Sequence, residues 1–149
     1  MLTNKARYGL RAMCALAAAG DAPLQARVIA TQADVPEKFL EAILVDLRRA
    51  GFVRSLRGKA GGHALAKPAD QILVGDLIRA IDGPLAPVRC ASVTAYAPCA
   101  DCRDPDTCAL RGLMREVREA LASVLDTCTL QSLRDRSAAM PPLAPEATA

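Results

Sequence analysis

Four of the six cysteines in this 149-residue chain lie within nineteen residues, in the run CASVTAYAPCADCRDPDTC from Cys90 to Cys108. Thiolates are nucleophiles, redox centres and soft metal ligands, so the cluster could close a disulfide, hold a metal, or do neither. The spacing is C-x8-C-x2-C-x5-C. Cys99 and Cys102 are close enough to chelate one ion, and a turn through Asp104-Pro105 would return Cys108 to the same place. Cys90 lies just before the loop, beside Arg89. Four cysteines suit an iron–sulfur cluster or a structural zinc, and spacing alone does not separate the two. A reversible disulfide is the third reading, and cysteines with no ligand role the fourth. Cys108 opens a long helix, where first-turn N–H groups and the helix dipole favour a thiolate. Arg89, Arg103 and Arg111 add positive charge that would help offset an anionic thiolate cluster.

The composition bears on these choices. A little over half of the residues are apolar, enough to build a core without covalent cross-links. Cysteine scaffolds belong mostly to chains too small for that, which weakens the disulfide staple. Lys5 and Arg7 precede the apolar run AMCALAAAG, but Leu10, Met13, Cys14 and Ala17 fall on one helical face, so the segment reads as a core helix rather than a signal peptide. No stretch is long enough to span a membrane. A cytoplasmic protein is expected, and reduced clustered thiols there more often bind metal. Two Phe, two Tyr and no Trp make a stacking platform for single strands or sugars a poor expectation.

These thiols must be positioned by the elements around them. A first helix is expected over Asn4–Ala19, a short second over Gln25–Gln32, and a third after Pro36. The third carries Phe39, Leu40, Ile43, Leu44 and Leu47 at the spacing of a buried stripe and ends at Gly51. Residues 52–56 read as a strand, 57–62 as a glycine-rich basic turn and 63–66 as a return strand. A fourth helix covers Val74–Ile81. The expected fold is therefore mainly α with a small β-hairpin, a winged helix-turn-helix over residues 1–83. A cysteine-rich sensor loop follows at 84–108, then a dimerisation helix and short C-terminal helix at 109–136, and a disordered tail at 137–149. In the long helix Leu110, Leu113, Met114, Val117, Leu121, Val124, Leu125 and Cys128 form one continuous apolar face, with Arg111, Arg115, Arg118, Glu119 and Asp126 on the other side. Such a face must bury itself against the main domain or a second subunit.

Residues 1–67 carry eleven Lys and Arg against five Asp and Glu, whereas residues 68–149 carry eight against eleven. The basic front half suits a polyanion. In a helix-turn-helix the second helix presents its N-terminal residues to base edges in the major groove. Glu41 could accept from a cytosine amino group and Ala42 could touch a thymine methyl, while Lys38, Arg48 and Arg49 suit phosphates. Arg57 and Lys59 stand at the hairpin tip, where a side chain could enter a minor groove. A winged helix used as a protein-interaction module is the competing reading. An enzyme is not expected: His63 in the wing is the only histidine, no nucleophile–base pair is evident, and the glycine turn lacks phosphate-loop spacing. His63 suits packing or a phosphate-adjacent role. Cys14 and Cys128 read as small core residues, with Cys128 also a candidate for meeting its counterpart across a dimer.

The segments LTNKARYGLRAM, FLEAILVDLRRAGFVRSLRGKAGGHALAKP, VGDLIRAIDG and VRC, followed by C-x5-C opening a long helix, resemble the Rrf-two family. These are dimeric winged-helix repressors that include iron–sulfur-cluster, nitric-oxide and rhizobial iron regulators, and the resemblance covers residues 1 to 136. It implies double-stranded DNA with an inverted-repeat operator as the partner of a homodimer. DNA contacts map onto Lys38, Glu41, Ala42 and Arg57. Three cluster ligands map onto Cys90, Cys102 and Cys108, with a fourth that varies among members, some of which lack the cysteines. Where the iron–sulfur-cluster regulator has a histidine this chain has Arg111, and where nitric-oxide sensors have an aspartate it has Arg7. Neither can ligate iron. The loop is also longer than usual and contains Cys99, which is expected to replace the missing fourth ligand.

Overall fold

Thr3 starts the chain's helical head. Its hydroxyl accepts the Ala6 N–H at 3.1 Å, so α1 (Asn4–Ala19) begins with a side-chain cap. The Thr3 N–H donates to Asp82 at 3.0 Å, which ties the start of α1 to the end of α4 (Val74–Asp82). The computed structural model describes residues 2–139, and side chains to residue 136. Its remaining elements are α2 (Ala26–Ala33), α3 (Glu37–Arg49), β1 (Val53–Leu56), β2 (Gly62–Leu65), α5 (Ala109–Leu125) and α6 (Leu130–Ala139). The tail expected over 137–149 lies outside the described residues beyond Ala139. Among the described residues no helix is long and apolar enough to cross a membrane.

Helices α1 to α4 surround one core, in which Met13, Leu16, Ile29, Leu40, Ile43, Leu47, Ile72 and Leu77 are fully buried. The turn between α2 and α3 is sharp because Asp34 adopts the left-handed conformation, with its carbonyl accepting from Arg11 at 3.2 Å. Val35 is buried in that turn, and Pro36 takes the cap position before α3. The α3 stripe is Leu40, Ile43, Leu44 and Leu47, as its spacing predicts. Phe39 departs from the expected stripe and is 48 % exposed. One residue before Leu40, it is rotated about 100° from that face, and its ring stacks on Tyr8 with centroids 6.2 Å apart.

The wing pairs β1 and β2 antiparallel, from Val53 opposite Leu65 to Leu56 opposite Gly62. Leu24 adds a third, one-residue rung: its N–H donates to the His63 carbonyl at 2.9 Å, and the His63 N–H returns to the Leu24 carbonyl at 2.7 Å. Gly62 permits this approach, since a Cβ there would lie 2.5 Å from the Leu24 carbonyl oxygen and its φ is +150°.

After α5 the chain returns to the head. The Val74 N–H donates to the Cys128 carbonyl at 2.9 Å, and the Leu130 N–H to the Ile72 carbonyl at 2.8 Å. Leu130 is fully buried and completes the core. The orientation of α5 reverses the simple amphipathic picture. None of its residues is buried, and Leu110, Leu113, Val117, Leu121 and Val124 face outward. The opposite side carries the contacts with the chain's own body: Arg111 holds the preceding loop, Leu125 packs against Val74 and Ile78, and Asp126, at the C-cap, makes a bidentate pair with Arg79 of α4 at 2.7 and 2.8 Å.

Candidate DNA-binding surface and cysteine loop

All seven side chains expected to meet DNA lie at exposed positions. Lys38, Glu41 and Ala42 are on the outer side of α3, Arg48 and Arg49 at its C-terminal end, and Arg57 and Lys59 at the wing tip. Arg48 and Arg49 follow the last buried residue of the stripe, so their charges project beyond the core where the helix dipole favours cations. Residues of α1 that sequence reasoning left out join this surface. Asn4, Lys5 and Tyr8 line a groove of about 390 Å³ with Lys38, Phe39 and Ala42. The signal for them is the i, i+4 spacing of Asn4 and Tyr8 on the outward side of α1. Lys5 is paired with Asp46 at 2.6 Å, and that contact holds the Asp46 carboxyl below its ordinary range. Lys38 lies over the Phe39 ring, 4.8 Å from its centroid. His63 is half-buried in the wing, its Nδ1 3.3 Å from the Ser55 hydroxyl. Partial burial and the charge of Arg48 lower its pKa, in keeping with a packing role.

The cysteine loop is irregular, as its prolines and polar residues predict. Cys90 is buried in a single tight helical turn, Arg89–Ala91. The Ser92 hydroxyl accepts the Ala95 N–H at 3.0 Å and shapes the next bend. The loop then brings exposed Cys99 back against Cys90, with the two sulfurs 3.7 Å apart. A tight turn follows, in which the Cys102 N–H faces the Cys99 carbonyl at 3.4 Å. Asp104 accepts from the Asp106 N–H at 3.0 Å and the Thr107 hydroxyl at 3.1 Å, closing the turn that leads to Cys108. Cys108 caps α5, its sulfur accepting the Arg111 N–H at 3.4 Å.

The thiols affect one another's charge. The Cys99 pKa is raised, first by its hydrogen bond with Cys90 and then by the charge Cys90 would carry. That of Cys102 is raised by desolvation and by Cys108. Proximity of like acids disfavours the thiolates until a cation neutralises them. Arg111 does not supply that neutralisation in the way its spacing suggests. Arg111 instead spends its donors on the loop backbone: Nε to the Cys90 carbonyl, and Nη1 to the Pro105 carbonyl and the Asp106 carboxylate, all at 3.0 Å. Its guanidinium also lies 5.6 Å from the centroid of the Tyr96 ring. Arg111 is therefore the clamp that joins both ends of the loop to α5.

The donor set suits a soft metal. Four thiolates around a metal at about 2.3 Å would be separated by about 3.75 Å, and the Cys90–Cys99 spacing is 3.7 Å. Among the described residues, no three His, Cys, Asp or Glu side chains already surround a common point. Cys102 and Cys108 must therefore close in for a four-thiolate site to form. Cys14 and Cys128 are apart from the loop. Cys14 packs against the head core, where burial raises its pKa, and Cys128 is buried with Val74 and Ile78.

A helical head with a hairpin wing, an outer helix that ends in two arginines and an attached long helix have the architecture of the winged-helix regulators of transcription. The family model Rrf2, described as an iron-dependent transcriptional regulator, matches residues 2–136. An rrf2-like HTH-type transcriptional regulator of Rhodobacter capsulatus is 42 % identical over 137 residues, covering 89 % of this chain and 91 % of that one. Among solved structures, CymR, the global cysteine regulator of Bacillus subtilis, superposes with a TM-score of 0.74 at 35 % identity, covering 91 % of this chain and 97 % of that one. IscR of T. potens superposes with a TM-score of 0.71 at 28 % identity, covering 97 % and 93 %. The chain belongs to the Rrf2 family. Its relatives are transcriptional regulators rather than enzymes, and it is a DNA-binding regulator of that kind.

Proposed function

We propose that the chain is a cytoplasmic, homodimeric repressor whose affinity for an inverted-repeat operator is controlled by an iron–sulfur cluster on Cys90, Cys99, Cys102 and Cys108. The observation that carries this reading is the loop itself: four thiols on one segment, two of them already at metal-ligand separation, leading directly into the cap of α5. A bound cluster supplies chemistry that responds to iron, oxygen or nitric oxide. The chain's own residues convert that state into geometry. Gathering Cys102 and Cys108 toward Cys90 fixes the loop, and the Cys108 cap with the Arg111 clamp passes the constraint to the first turn of α5. Helix α5 in turn sets the separation of two heads, and half-site spacing makes operator affinity sensitive to it. In this division residues 1–83 read DNA, 84–108 sense and 109–136 dimerise. In the head, Lys38, Arg48 and Arg49 neutralise phosphates, Glu41 and Ala42 meet base edges, and Arg57 and Lys59 extend from the wing.

Zinc fits the same four thiolates and the same 3.7 Å spacing, so it is the competing ligand. Anaerobic purification followed by iron, sulfide and zinc analysis separates the two. Iron and acid-labile sulfide are expected, whereas stoichiometric zinc without sulfide would replace the sensor by a structural site. Cys99→Ala is expected to lose the cluster, and a full complement of iron and sulfide in that variant would remove Cys99 from the ligand set.

A further inference from the structure

The loop brings together two cysteines that the sequence does not pair. Cys99 is three positions from Cys102, and the C-x2-C spacing makes those two the obvious partners. The fold turns them differently. Cys99 lies against Cys90, nine positions away, with the sulfurs in van der Waals contact at 3.7 Å, and it is the exposed member of the pair while Cys90 is buried. Arg111 holds the Cys90 end by its carbonyl, and the Cys99 end rests on the exposed arm of the loop. Cys99 is open to a solvent oxidant, and Cys90 lies directly behind it, where a resolving cysteine would stand.

We propose that, in the metal-free protein, Cys99 and Cys90 form a disulfide on reaction with a hydroperoxide, and that this bond closes the loop to metal until it is reduced. The chemistry balances with one equivalent of peroxide. The Cys99 sulfur attacks an oxygen of hydrogen peroxide, an S–O bond forms and the O–O bond breaks. The departing hydroxide takes the Cys99 proton and leaves as water. The Cys90 sulfur then attacks the Cys99 sulfenic acid, the S–S bond forms, and the S–O bond breaks. That hydroxide leaves as a second water with the Cys90 proton. Two thiols are oxidised by two electrons in total, and one peroxide is reduced to two waters. The Cys90 and Cys99 sulfurs, 3.7 Å apart, need to approach by about 1.7 Å to reach the S–S bond length of about 2.05 Å. The exclusion of metal rests on the ligand set proposed above; the disulfide itself does not.

The test uses the full chain, stripped of metal with a chelator, reduced anaerobically, then treated with hydrogen peroxide and alkylated. Cleavage after Arg89, Tyr96 and Arg103 and before Asp101 places Cys90, Cys99 and Cys102 on three separate peptides. The expected product joins peptide 90–96 to peptide 97–100, with Cys102 and Cys108 alkylated, and Cys102→Ser keeps the same link. A bond from Cys99 to Cys102, a cross-link between chains, four alkylated loop thiols, or loss of the 90–99 link in Cys102→Ser would overturn the assignment. Reduced and oxidised samples are then offered ferrous iron and sulfide. The reduced sample is expected to take them up and the oxidised one to do so only after dithiothreitol. Equal uptake by both overturns the exclusion, and no uptake by either overturns the cluster reading while the mapped bond stands.

Discussion

Arg111 shows what a single side chain can tie together. It cannot bind a metal, but its fork satisfies two carbonyls and a carboxylate from two separated parts of the loop, and it is only 19 % exposed. Hydrogen bonds to a charged group contribute about 1.5–3 kcal/mol each when buried, so Arg111→Ala should loosen residues 90–106 by at least about 1.5 kcal/mol, near tenfold in local opening. Hydrogen exchange of the loop amides is expected to accelerate by that factor, with the amides of α1 to α4 unchanged. Loop protection equal to wild type would show the clamp to be dispensable. Arg111→Lys should not restore protection, because an ammonium lacks the planar fork. At the wing, Arg57 projects from the exposed tip. If it meets DNA, Arg57→Ala weakens operator binding and flattens its salt dependence by about one unit of log–log slope. An unchanged affinity and slope in a salt titration would remove Arg57 from the interface.

At the scale of elements, the joint between α4 and α5 depends on a glycine and an ion pair. Gly75 lies directly beneath Asp126, and a Cβ there would collide with the Asp126 carboxylate and stand 2.9 Å from Arg79 Nη1. Helix propensity alone would make Gly75→Ala favourable by about 1 kcal/mol. Displacing the bidentate Arg79–Asp126 pair offsets that gain, so the urea midpoint of Gly75→Ala should stay close to wild type, and a rise by the full propensity gain would show that the pair contributes nothing. That pair also carries a pH signature. Hydrogen bonding to Arg79 holds the Asp126 carboxyl below the ordinary carboxylate range. The unfolded chain therefore binds this proton more readily, so the pair's contribution is complete above the unfolded pKa and is lost as pH falls through the lower folded one. Both side chains are about a third exposed, so the contribution stays under about 1 kcal/mol and shrinks with salt. Asp126→Asn should narrow the gap between neutral and acidic urea midpoints, and an identical pH profile would assign the acid sensitivity to other carboxylates. Much at this scale is legible in the sequence. Periodicity and punctuation place α1, α3 and the wing within a residue or so, because buried stripes and glycine turns are local patterns. The Leu24 rung, the Gly75 contact and the Arg111 clamp are not legible, since each joins distant positions through backbone carbonyls or a missing Cβ, neither of which leaves a mark on residue type.

At the scale of the whole molecule, α5 poses the largest unbalanced term. An amphipathic pattern states that one face will be covered but not by what, and the structure answers half of that question: the body of the chain takes the side that carries Arg111, Leu125 and Asp126. Leu110, Leu113, Val117, Leu121 and Val124 remain at least a third exposed, on consecutive turns of one helix. Burying a Leu or Val is worth about 1.5–3 kcal/mol. Because each of these side chains is already partly covered, two such stripes together contribute an amount comparable with the roughly 4–15 kcal/mol that association costs in lost freedom. The dimer proposed above would cover it, because a symmetric pair would set one continuous leucine–valine stripe against its equal and place two heads on a two-fold axis. The double substitution Leu113→Asp with Leu121→Asp should then yield a monomer at micromolar concentration by sedimentation velocity. Its circular dichroism should stay helical, because neither residue belongs to the head core. Weak, strongly salt-dependent binding to arbitrary DNA should survive, since the basic surface of the head is untouched. Affinity for an inverted repeat should fall to that same level, because each half-site would then have to be held alone. If the variant sediments as a dimer, another surface joins the subunits and the loop must reach the heads by a route other than α5.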